Sequence, residues 1–85
     1  MTRALMWEAR AAEGRAADLE RWVRDHALPD LRAAAPERLE LLTAEGDRVL
    51  LITWWTGEPG HVPDPPDGLT ARPVHRWSFT SAHVE

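Results

Sequence analysis

An α+β fold, an antiparallel sheet with one long helix packed on it, is predicted by three observations on this 85-residue chain. Between Arg15 and Ala27, the apolar residues Leu19, Trp22, Val23 and Ala27 follow the i, i+3, i+4, i+8 spacing of one helix face. The runs at 3–9, 39–43, 48–55 and 74–79 have the length and apolar alternation of strands. Residues 56–73, "TGEPGHVPDPPDGLTARP", hold five of the seven prolines and three of the five glycines, so no long helix fits there.

Taken in order, "RALMWEA" sets Leu5 and Trp7 on one face of a first strand and Ala4 and Met6 on the other. The helix follows. Pro29 disfavours helical geometry at Leu28, and a second helical piece from Asp30 to Ala35 is expected before Pro36. Leu39–Thr43 and Arg48–Trp55 flank "AEGD" and predict a hairpin, with Gly46 supplying positive φ at the bend. After the proline-rich segment, with one turn expected around Asp67–Ala71, "VHRWSFTSA" alternates His75, Trp77, Phe79 against Val74, Arg76, Ser78, as an amphipathic edge strand does. The order β-α-β-β-(short α or loop)-β is close to the ferredoxin-like plan, in which the first and third strands lie in mid-sheet. Those are the two strands apolar on both faces. Residues 1–85 are therefore read as a single ferredoxin-like domain.

The doublet Trp54–Trp55 sharpens this. Strand neighbours point to opposite faces, so both faces of the third strand must be covered, and the register that assigns each tryptophan to its face stays open. One helix covers one face; an apolar row on the other marks an interaction surface. A chain this short buries only roughly 60–65% of its unfolded surface, so a partner helps it. A homodimer with sheet against sheet is expected.

Composition excludes several classes. The net charge of −4 opposes nucleic-acid binding, which rests on excess Lys and Arg. No run has the 18 or so apolar residues of a membrane span, and the N-terminal stretch carries acids rather than a signal-peptide core. With no cysteine, a disulfide framework and thiolate metal sites are absent, which suits a cytoplasmic location. All ten basic residues are Arg, and Lys, Asn, Gln and Tyr do not occur.

The segment from Trp7 to Trp55, with its "LPDLRAA" helix end leading into the second strand and a third strand ending in Trp, resembles the antibiotic-biosynthesis-monooxygenase-like family of dimeric α+β barrels. The resemblance implies a barrel-forming homodimer with a pocket between sheet and helices. It also brings two activities into view: cofactor-independent oxygenation of polycyclic phenols, and haem degradation. The second departs from this chain, which has no Asn and presents "EPGHVPDPPDG" where that branch has a helical His. The first uses Asn, Trp, Tyr and Arg, of which only Trp and Arg occur here.

Candidate ligand-binding residues are Trp55, Trp77, His75, Trp7 and His26. Five Trp against one Phe would line a pocket for an aromatic or apolar small molecule, or supply core and interface area. His26 lies on or beside the apolar helix face, as a packed histidine or a catalytic one. His61 and Asp64 form an H-x-x-D pair, which alone is an incomplete metal site. Glu8 is either a base of raised pKa or the ion-pair partner of Arg76. No glycine-rich phosphate loop, nucleophile elbow or zinc signature occurs, and no cofactor or metal is expected. A protein-interaction module using the apolar sheet face is the reading from a third functional class.

Overall fold

A computed structural model describes residues 2–85. Four strands, β1 (Arg3–Arg10), β2 (Arg38–Ala44), β3 (Arg48–Trp55) and β4 (His75–Thr80), form one antiparallel sheet in the order β2-β3-β1-β4. The first and third strands are central and β4 is an edge, as the apolar patterning requires. A helical stretch between β1 and β2 covers one face. The arrangement is α+β and compatible with a ferredoxin-like plan, but residues 56–74 contain no second helix.

The helical stretch runs through Pro29 instead of breaking at it. It consists of α1 (Ala16–Trp22), a π-helical turn (Val23–Ala27) and α2 (Leu28–Ala33). Leu28, expected to leave helical geometry, has φ −61° and ψ −42°, and its N–H donates to the Val23 carbonyl five residues back. A proline removes one ladder donor and crowds the preceding turn; the wider π turn just before it absorbs both effects. Leu19, Val23, Ala27, Leu28 and Leu31 remain on the buried stripe. Ala35, at φ +57°, ends the stretch before Pro36.

The register assigns the two sheet faces. Leu5, Trp7 and Ala9 of β1 lie opposite Thr53, Leu51 and Val49 of β3, and all six face the helix. Along β3 burial alternates strictly: Val49, Leu51, Thr53 and Trp55 are buried, and the residues between them are half-buried. Trp55 (3% exposed) thus belongs to the core, and Trp54 to the opposite face. The Trp55 indole N–H donates to Thr53 Oγ1 at 2.7 Å, so the one buried hydroxyl on this strand and the one polar atom of the ring satisfy each other. The β2–β3 bend has Gly46 at φ +78° followed by Asp47 at φ +56°, so the glycine supplies the expected positive φ.

The proline-rich segment is fastened at both ends. Val62 and Leu69 are buried, the Ala12 N–H donates to the Leu69 carbonyl, and the Ala71 N–H donates to the Arg10 carbonyl. Gly60 lies directly on the helix end. A Cβ there would stand 3.0 Å from both Ala34 Cβ and the Trp55 ring. Gly60→Ala is therefore expected to destabilise by about 1–3 kcal/mol through overpacking, measurable as a lowered denaturant midpoint with an unchanged slope.

Candidate functional site

Where a ferredoxin-like plan would set its second helix, the loop of residues 56–74 covers the β1–β4 half of the helix-side face incompletely. The gap is a cleft of about 220 Å³. Its floor follows from the register: Leu5 lies between Thr53 and Ser78, and Trp7 between Leu51 and Arg76. Gly60, His61 and Val62 of the loop form the facing wall, and Met6 and Trp77 complete the lining. The surfaces are mainly apolar, with Thr53, His61, Arg76 and Ser78 as the polar groups.

The five residues singled out from sequence do not converge. Trp7 and Trp77 line the cleft, whereas Trp55, His75 and His26 do not. Trp55 shares the helix-side face, but its ring lies against Gly60 at the end of the helix. His75 is on the outer sheet face, edge-to-face with Trp77 at 5.4 Å between centroids. His26 is solvent-exposed and sits 6.2 Å from the half-buried Trp22, which in turn stacks on Trp7 at 6.5 Å. The indole N–H of Trp7 is buried without an acceptor among the described residues.

The H-x-x-D pair divides. His61 lines the cleft, while Asp64 accepts a hydrogen bond from the Arg76 guanidinium at 2.8 Å. Among the described residues, no three His, Asp or Glu side chains gather as a metal-ligand group. Arg76, Ser78, Thr53 and Val62 are cleft residues that carry no sequence motif of their own. The signal for Arg76 and Ser78 is their shared alternation in β4, but only the pairing with β1 says which alternation faces the helix.

Glu8 departs from both of its expected roles. It is 6% exposed and lies on the outer face, between Leu50 and His75 in the register. Its carboxylate is bonded by Arg72 and, at 3.4 Å, by Arg48, with the His75 ring at 3.6 Å; Arg76 is not among its partners. The Arg72 hydrogen bond holds its pKa below the ordinary glutamate value, outweighing desolvation, which pushes the other way. A lowered folded-state pKa contributes stability above the unfolded value, roughly 4.3, and that contribution is lost as pH falls through the folded value. Glu8→Gln is expected to cost about 1–3 kcal/mol at pH 7. The deficit relative to the parent chain should shrink by pH 3, as followed by denaturant unfolding at the two pH values.

No family model, curated protein or solved structure matches this chain. Functional inference therefore rests on the cleft, the outer sheet face and the cluster around Glu8. The cleft is an apolar recess with a few polar groups at its wall, the composition of a small-molecule site. The cluster around Glu8 is a closed set of charge-assisted hydrogen bonds, and its carboxylate is fully engaged. Among the described residues, no helix is long and apolar enough to cross a membrane.

Proposed function

We propose that this chain is a cytoplasmic, homodimeric α+β-barrel protein, on the plan of the antibiotic-biosynthesis-monooxygenase-like family, that binds an aromatic or apolar small molecule between its sheet and the covering layer. The observation that carries the binding half of this reading is the cleft over Leu5, Trp7 and Leu51. It lies on the helix side of the sheet, where the family resemblance sets its pocket, and Trp7 gives it a planar aromatic wall.

The dimer half is supported by the opposite face. The register sets Arg38, Trp54, Ala4 and Phe79 in one row across the sheet, and Glu40, Ile52, Met6 and Trp77 in the next. No element among the described residues covers these rows: Trp77 is 41% and Phe79 49% exposed, while Met6, Ile52 and Trp54 are half-buried. An apolar surface running across β3, β1 and β4, bordered on β2 by the Arg38–Glu40 pair, is what a two-fold sheet-on-sheet contact uses. The third strand needs two covers, and the helix supplies one.

The binding test is a titration of tryptophan fluorescence with planar aromatics of one to three rings. Saturable quenching that is weakened by filling the cleft with Leu5→Trp supports the reading; no response from any compound sinks it. Oxygenation of a polycyclic phenol without cofactor is the catalytic extension. It requires a proton acceptor at the bound phenol, and His61 is the one titratable base in the cleft lining.

A further inference from the structure

We propose that the occupant of the cleft is a small aromatic carboxylate, with its ring against Leu5, Trp7 and Leu51 and its carboxylate at the Arg76 guanidinium. This rests on the reading of the cleft as a binding site and names the ligand class it selects.

The polar groups of the cleft are a surplus of donors. The lining contains no Asp or Glu. Thr53 Oγ1 already accepts the Trp55 N–H, which leaves its hydroxyl hydrogen to be given elsewhere. Ser78 adds a second hydroxyl, and Arg76 a guanidinium. Trp7, a lining residue, has an indole N–H that is buried with no acceptor among the described residues. A ligand that complements this set brings acceptors, and negative charge is favoured opposite an arginine.

Arg76 is available for that role although it is paired. Only one of its nitrogens bonds Asp64, so most of its five N–H donors remain free. The Asp64 side chain is 79% exposed, and a pair so open to water holds the guanidinium only weakly. A ligand carboxylate that also buries a ring on Trp7 and Leu51 outcompetes this contact or shares the guanidinium fork with it. A carboxylate fits better than a phenolate, because it is ionised at neutral pH whereas an ordinary phenol is not, and because its two oxygens match the fork. The cavity of about 220 Å³ lies below the ~300–1,000 Å³ of sites for drug-sized ligands, so one or two rings is the size that enters.

The test is calorimetric titration at pH 7 with naphthalene-2-carboxylate and its neutral isostere naphthalene-2-methanol. The carboxylate is expected to bind roughly tenfold tighter or more, the scale of one charge-assisted pair. Arg76→Gln should erase that preference and leave the alcohol within about twofold, and Asp64→Asn should tighten the carboxylate by freeing the guanidinium. Both side chains are at the surface, so far-UV dichroism is expected to be unchanged in the two variants. Equal affinity for the two compounds overturns the carboxylate assignment while leaving the cleft as a binding site. A preference that survives Arg76→Gln overturns the role of Arg76. No heat from either compound overturns the ligand class and the binding function together.

Discussion

Trp55→Ala is expected to lower the free energy of unfolding by about 3–5 kcal/mol, the range for removing a buried aromatic. For an 85-residue chain that is a large share of the stability available. Trp55 is 3% exposed and contacts Gly60 in the loop. Through its N–H it also satisfies Thr53, whose hydroxyl is otherwise buried with no partner for its lone pairs. Alanine therefore opens a cavity where helix end, sheet and loop meet, and strips Thr53 of its donor. Denaturant unfolding at fixed protein concentration measures the loss, the concentration being fixed because any self-association adds to apparent stability. Trp55→Phe, which keeps most of the ring area but not the N–H, should fall between the two. A loss below 1 kcal/mol for Trp55→Ala would contradict the buried position of the ring.

How much of this arrangement can be read from the residues depends on which interaction decides each element. The four strands, the hairpin at Gly46 and the helix stripe are local patterns, and periods of 2 and 3.6 carry them. Pro29 taken by its local preference alone predicts a break at Leu28. The apolar residues on both sides of it, Val23, Ala27, Leu28 and Leu31, are all buried, and packing them outweighs that preference once a π turn makes room. The outer-face assignment of β4 was less legible. An amphipathic edge strand ordinarily turns its apolar side toward the helix, which would bring His75 and Trp77 into a pocket. Here the apolar side points the other way, because Met6 and Ala4 of β1 continue it on the outer face. On the helix side β4 is left with Arg76 and Ser78, while Trp77 borders the cleft from the outer alternation, and no alternation within β4 alone distinguishes these two outcomes. The same applies to Glu8, whose partner Arg72 comes from a loop that sequence spacing does not place.

Trp54→Ala, one residue away from Trp55, is expected to act on association instead of folding. Trp54 is half-buried on the outer face, its ring centroid 5.1 Å from the Arg38 guanidinium carbon, and it lies outside the buried core cluster. Its loss should change the unfolding free energy of the separated chain by no more than about 1 kcal/mol. In a sheet-on-sheet dimer the same ring lies next to Ile52 and Met6 in the middle of the contact, where a tryptophan commonly carries 2 kcal/mol or more. That corresponds to a dissociation constant raised about 30-fold or more. Sedimentation equilibrium across a dilution series measures it directly. If the parent chain is monomeric at micromolar concentration, the sheet-on-sheet contact is wrong. If Trp54→Ala unfolds the chain as Trp55→Ala does, the division of the doublet between core and interface is wrong. The two neighbouring substitutions separate what the strand separates: one face holds the protomer together, and the other is the surface proposed for the contact between protomers.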